Sequence, residues 1–203
     1  MVKEIRIFCE GGGDSSSTKA ILRKGMSQFL GEMVKLARRK RLRWHLTLCG
    51  SRQSAYDDFV ISLKTYPHAF NLLLVDSESK VTKKPWAHLK DTDRWDSSQT
   101  NDNHCHLMVQ TMEAWLIADL EALKKFYGQS FNESAIPRTT EVEQIPKSDL
   151  EPALKNASRH TSKGPYHKIY HAAKLLELLD TGKVRQVAPH CERLFRTLEN
   201  LLT

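Results

Sequence analysis

The segment Lys3–Lys19, KEIRIFCEGGGDSSSTK, constrains the fold more than any other part of the chain. A short apolar run through Ile5, Ile7 and Phe8 ends in an acid, Glu10. Gly11, Gly12 and Gly13 follow, then Asp14 and a Ser/Thr cluster that opens a long helical pattern. Glycine lacks a Cβ, so the chain can turn sharply here and bring its backbone close to a ligand. The pattern predicts a strand, a tight turn and a helix N-terminus, with a carboxylate at the strand's carboxyl end. In open α/β sheets that edge is where ligands bind.

The rest of the sequence extends the same architecture. Leu22, Met26, Phe29, Leu30, Met33 and Ala37 recur at helical spacing and predict one amphipathic helix from about Ser16 to Lys40. Leu42–Cys49 alternates apolar and polar residues as a strand does. Gly50 and Ser51 make a turn, Ala55–Leu63 reads as a helix, and Pro67 closes the unit. Phe70–Val75 is almost continuously apolar, as expected of a central parallel strand covered on both faces. It runs into Asp76-Ser77-Glu78. Ser79–Asn103 is polar and reads as loop, with one short helix around Trp86–Lys90. His104–Val109 reads as a fourth strand and Thr111–Tyr127 as a helix capped by Gly128.

Alternation of this kind predicts an α/β fold with a mostly parallel sheet, right-handed crossovers and flanking helices. In the last third, Pro137, Pro146 and Pro152 punctuate the chain, and Ile169, Ala172, Leu176, Leu194, Phe195 and Leu198 keep helical spacing. We therefore expect an α/β domain over 1–130 and a helical appendage over 131–203 packed on it as one structural unit. A chain of 203 residues is long enough to bury such a core.

Composition narrows the function. Hydrophobic residues make up 40% and charged residues 27%, ordinary values for a globular protein. The longest apolar runs, such as Leu72–Val75, fall far short of the ~20 residues that span a bilayer. The N-terminus carries Lys3 and Glu4 and has no apolar core of a signal peptide. Cys9, Cys49, Cys105 and Cys191 are widely spaced without a CxxC pair, which suits reduced buried thiols and a cytoplasmic address. The net charge of +7 favours a polyanionic partner, because phosphate contacts supply much of nucleic-acid affinity. The densest basic run, Arg38–Arg41 with Arg43, also sits where cations complement a helix C-terminus.

Glu10, Asp76 and Glu78 fall at the expected carboxyl ends of two strands. Mg²⁺ prefers hard oxygen ligands and takes one or two carboxylates, completing its shell with water and phosphate. Acids gathered at one sheet edge therefore point to phosphoryl-transfer chemistry with Mg²⁺ or Mn²⁺ as cofactor. Other phosphate and metal motifs do not fit. GGGDSSSTK lacks the Gly-Lys-Ser/Thr of a P-loop, and Gly11–Gly13 lack the dinucleotide G-x-G-x-x-G spacing. His104 and His106 would share one face of a strand but have no second ligand pair at zinc spacing. Gln110 and Glu113 share a helix face just after the fourth strand, so Glu113 is either a fourth acid of the site or an exposed helical residue. Lys163, Lys168 and His171 follow a Ser-Lys-Gly-Pro loop, where they either meet phosphate at the rim or form a basic surface.

These residues carry a resemblance. An acid at the end of the first strand and an acid-x-acid pair at the end of a later one look like the Toprim fold of topoisomerases, primases and old-type nucleases. More closely, EGGGD, LLVDSE, HLMVQTMEAWLIAD, KGPYHKIYH and APHCERLF resemble an uncharacterised-domain family of Toprim-like proteins. Members occur beside ATPase genes, and some are toxic effectors of PARIS-type anti-phage systems. The likeness runs from Ile5 to Leu198, and where the usual Toprim pair is Asp-x-Asp this chain has Asp76-x-Glu78. It implies a metal-dependent nuclease acting in defence with a partner ATPase. Glu10, Asp76, Glu78, Glu113 and Lys163 are then the catalytic candidates, the first three as metal ligands. The alternative is a non-catalytic Toprim-fold module that docks onto that ATPase. DNA and RNA both stay open as substrate, a homo-oligomer stays open as assembly, and no membrane partner is expected.

Overall fold

A computed structural model describes residues 2–203. Its first half alternates strand and helix: β1 (Glu4–Glu10), α1 (Ser16–Phe29), α2 (Gly31–Arg39), β2 (Arg43–Gly50), α3 (Arg52–Thr65), β3 (Phe70–Asp76), α4 (Pro85–Asp93) and β4 (Cys105–Met108). The four strands form one sheet in the order β2-β1-β3-β4, and every pairing is parallel. The α/β expectation, with a parallel sheet flanked by helices and a helical C-terminal segment, is met. β1 and β3 lie side by side in register Cys9↔Leu74, so Glu10 and Asp76 emerge together at the sheet's carboxyl edge.

The period of two along each strand sorts side chains between two cores. Ile5, Ile7 and Cys9 of β1 and Leu72 and Leu74 of β3 face the larger one. Phe8, Leu73 and Val75 face the smaller one, closed by Phe59 of α3, Trp86 and Leu89 of α4, and Trp95.

Two predicted helices are broken in the structure. The helix expected over Ser16–Lys40 ends at Phe29 and restarts at Gly31, with the buried Leu30 as the joint. Gly31 is the weak point, since glycine costs a helix about 1 kcal/mol relative to alanine. The helix expected over Thr111–Tyr127 becomes α5 (Met112–Ile117) and α6 (Leu120–Tyr127). Asp119 divides them because its carboxylate serves better as a cap: it accepts from the Ala122 N–H at 3.3 Å and the Asp180 N–H at 2.9 Å, and pairs with Lys183 at 3.0 Å.

The remaining chain forms α7 (Lys147–Ser158), α8 (Tyr170–Leu178), α9 (Thr181–Val187) and α10 (Pro189–Leu202). Their apolar faces join the larger core directly. Phe29 of α1 stacks on Trp115 of α5 at 5.2 Å and meets Phe195 of α10 edge-on at 5.7 Å. Gly25 lets α1 and α8 touch backbone to backbone: a Cβ there would lie 2.3 Å from the Ala173 carbonyl oxygen. Arg193 of α10 donates to the Cys105 carbonyl at 2.8 Å, which ties α10 to β4. All four cysteines are free and buried. Among the described residues no helix is long and apolar enough to cross a membrane.

Candidate metal centre

The glycine turn sets the site. Gly11, Gly12 and Gly13 have φ of 116°, 87° and 63°, a left-handed run that residues with a Cβ rarely adopt. The turn folds over the end of β2, where the Gly11 N–H donates to the Gly50 carbonyl at 2.9 Å and the Gly50 N–H returns the bond at 3.1 Å. A Cβ on Gly50 would sit 2.7 Å from the Gly13 carbonyl. Glu10 is thereby left at the sheet edge beside the end of β3.

Three carboxylates converge there. The Asp76 N–H donates to Glu10 Oε2 at 3.1 Å, and Asp76 Oδ1 accepts from the Met112 N–H at 2.9 Å at the start of α5. Glu78 has a left-handed φ of 66° and its N–H donates to the Gln110 carbonyl at 2.9 Å, so the chain bends back after β3. Each of Glu10, Asp76 and Glu78 offers one oxygen, and these oxygens lie within 4.8 Å of one another.

Their electrostatics are unfavourable without a cation. Burial raises the Glu10 carboxyl above its ordinary value, Arg52 works against this, and Glu78 adds to it. Asp76 is raised well above its ordinary value, first by burial and then by Glu10 and Glu113. Only partial compensation comes from basic side chains. Arg52 is committed to Asp93, which it grips with two hydrogen bonds of 2.7 Å, and its Nη1 lies 3.5 Å from Glu10 Oε2. Lys147 pairs with Glu78. An all-oxygen donor set of this size, buried on one side and open on the other, fits a hexacoordinate divalent ion that keeps several waters.

Glu10 and Asp76 line a cleft of about 560 Å³. Leu22, Met108, Met112 and Ile169 wall it, and Lys155 and Lys168 stand among its lining. Glu113 does not line the cleft. It is 1% exposed and sits behind it, accepting from Tyr166 Oη at 3.1 Å and Thr111 Oγ1 at 2.7 Å, with Lys168 Nζ at 3.7 Å. Burial would lower the Lys168 ammonium, but Glu113, Asp76, Glu151 and Glu10 together outweigh it and its pKa rises. Lys163 lies outside the cleft lining, with its ammonium 5.3 Å from the Phe126 ring centre. His171 shares a hydrogen bond of 3.1 Å with Tyr127 Oη. His104 and His106 bond to the Asn71 and Asn103 carbonyls at 2.6 and 3.1 Å, and burial, helped by Arg193, lowers His106 to about 3.

Sequence reasoning missed Arg52, Lys147, Lys155 and Tyr166. Arg52 had a signal: it follows Gly50-Ser51 at the carboxyl end of β2, the same edge that singled out Glu10. The other three arrive through the packing of α7 and the loop before α8, which no local pattern reveals.

A family profile described as a domain of unknown function, DUF4276, matches residues 9–199. The chain belongs to the DUF4276 family. The DUF4276 match begins in β1 and ends in α10, so the three carboxylates, the glycine turn and both cleft lysines all fall inside it. Searches of curated proteins and of solved structures give no match.

Proposed function

We propose that this protein is a Toprim-like phosphodiesterase that cleaves nucleic acid with Mg²⁺ or Mn²⁺. The observation that carries this reading is the convergence of Glu10, Asp76 and Glu78 oxygens within 4.8 Å, with Glu10 and Asp76 lining a cleft that also holds two lysines. A bound divalent ion would neutralise charge on the scissile phosphoryl group and supply an activated water. The chain's own residues do the rest. Glu10 and Asp76 would hold the ion, each carboxylate being fixed by a backbone N–H. Glu78, which pairs with Lys147, would be the third ligand. Lys155 and Lys168 meet the phosphate anion, with Lys168 positioned by Glu113 and Tyr166 behind it. The net charge of +7 suits a polyanionic substrate.

The motif resemblance adds a context to this chemistry: an effector in anti-phage defence, working in the cytoplasm with a partner ATPase. Four free, buried thiols suit a reducing compartment. One observation favours a second reading, a non-catalytic module that docks onto the ATPase. Lys147 and Arg52 already stand against Glu78 and Glu10, as they would in a site that never receives an ion.

Incubation of the protein with labelled DNA and RNA in Mg²⁺, Mn²⁺ or EDTA separates the two. The first reading expects metal-dependent products that disappear in Glu10→Gln and Asp76→Asn. A calorimetric titration with Mn²⁺ that gives no heat, together with absence of cleavage, would leave the docking module.

A further inference from the structure

The cleft is unusual for a site that reads phosphate alone. Phosphate contacts are made by Lys, Arg and polar groups, yet Leu22, Met108, Met112 and Ile169 line this cleft beside the carboxylates. The apolar wall packs directly onto the glycine turn: a Cβ on Gly11 would lie 2.8 Å from Leu22 Cδ2, and one on Gly13 would lie 3.6 Å from Ile169 Cδ1. Its volume of about 560 Å³ is in the range of a small-ligand site. A duplex offers such a cleft only its phosphates, because its bases are stacked inside, and the apolar wall would stay wet. An unstacked nucleotide has both a flat apolar face and an anionic phosphate, and enzymes that engage a base take it out of the stack.

Building on the nuclease reading, we propose that the cleft takes one unstacked nucleotide of a single strand. Its base lies against Leu22, Met112 and Ile169, and its phosphate lies toward Lys155 and Lys168 beside the carboxylates. Intact duplex is then a poor ligand and a poor substrate.

The test is fluorescence anisotropy with a labelled oligonucleotide in Ca²⁺, either single-stranded or annealed to its complement, with cleavage followed in parallel in Mn²⁺. The single strand should bind at least ~10-fold tighter, a difference of about 1.4 kcal/mol. Ile169→Glu should abolish that preference, and the milder Ile169→Ala should reduce it; thermal melting reports whether each variant is folded. Equal binding of both forms with metal-dependent cleavage intact overturns this inference alone. A folded Ile169→Glu that keeps wild-type preference also overturns it. A free mononucleotide that competes as well as the strand itself reassigns the cleft to free nucleotides and overturns the polymer assignment. Absence of metal-dependent cleavage on every substrate overturns the nuclease reading beneath it.

Discussion

The backbone N–H of Asp76 donates to Glu10 Oε2 at 3.1 Å, so the acid that ends β1 is held by the main chain that ends β3. Two parallel strands in adjacent positions thus deliver two carboxylates to one point. The arrangement brings like charges together.

Mg²⁺ or Mn²⁺ should raise the melting temperature. At a concentration 100 times Kd the gain is about 2.7 kcal/mol, or roughly 5–10 °C for a chain of this size. The gain should grow with pH. Glu10 and Asp76 carry raised pKa values in the folded state, so without metal their contribution is most favourable in acid and is lost as pH rises through those values. A cation needs them ionised, so its effect runs the other way. Differential scanning fluorimetry across pH with and without Mn²⁺ checks this; a metal effect independent of pH, or one retained in Glu10→Gln, would sink it.

Lys168→Ala should lower the rate of nucleic-acid cleavage on the order of 10²-fold, the loss typical of one charge-stabilising group. Lys163→Ala should leave the rate close to wild type, because its ammonium rests over Phe126 outside the cleft lining. Single-turnover assays at saturating Mn²⁺ distinguish the two, and the reverse ranking would move the anion site to the Lys163 loop.

These two lysines also mark the limit of what the sequence discloses. Glu10 and Asp76 were legible because acids ending apolar strands must emerge at the carboxyl edge once the sheet is parallel. Lys163 and Lys168 lie five residues apart in one basic loop, and only the path of that loop over α5 decides which of them faces the acids. The breaks at Gly31 and Asp119 were hidden for a related reason. The apolar period continues across both, and it outweighed the capping signal of an aspartate just before Leu120. The basic run Arg38–Arg43 is exposed at the amino end of β2, the opposite end of the sheet from the cleft.

Gly25→Ala should destabilise the fold by about 1–3 kcal/mol, as overpacking does. The new Cβ meets the Ala173 backbone at 2.3–3.0 Å, and a backbone cannot swing aside as a side-chain tip can. Gly31→Ala is the control, since nothing lies within 4 Å of its Cβ, and it should be neutral or slightly stabilising. Urea unfolding of both variants reads the difference; equal midpoints would mean that α1 and α8 are free to move apart.

Tyr166→Phe removes a donor from the buried Glu113 carboxylate and should cost about 1–3 kcal/mol. Glu113→Gln changes the same contact from the other side, so the double variant should be less destabilised than the sum of the two. A double-mutant cycle by chemical denaturation measures the coupling. Strict additivity would show that the two side chains do not act on each other.

The close seat of α8 on α1 at Gly25 also joins parts of the site that are made at different times. On the ribosome, Glu10, Asp76 and Glu78 are made first. Lys155, Tyr166, Lys168 and Ile169 emerge later, and only the docking of α8 brings the last three to the acids. A nascent or prematurely terminated chain therefore holds the carboxylates without Lys155, Lys168 and Ile169. On the nuclease reading proposed above, completion of synthesis is then itself a safeguard.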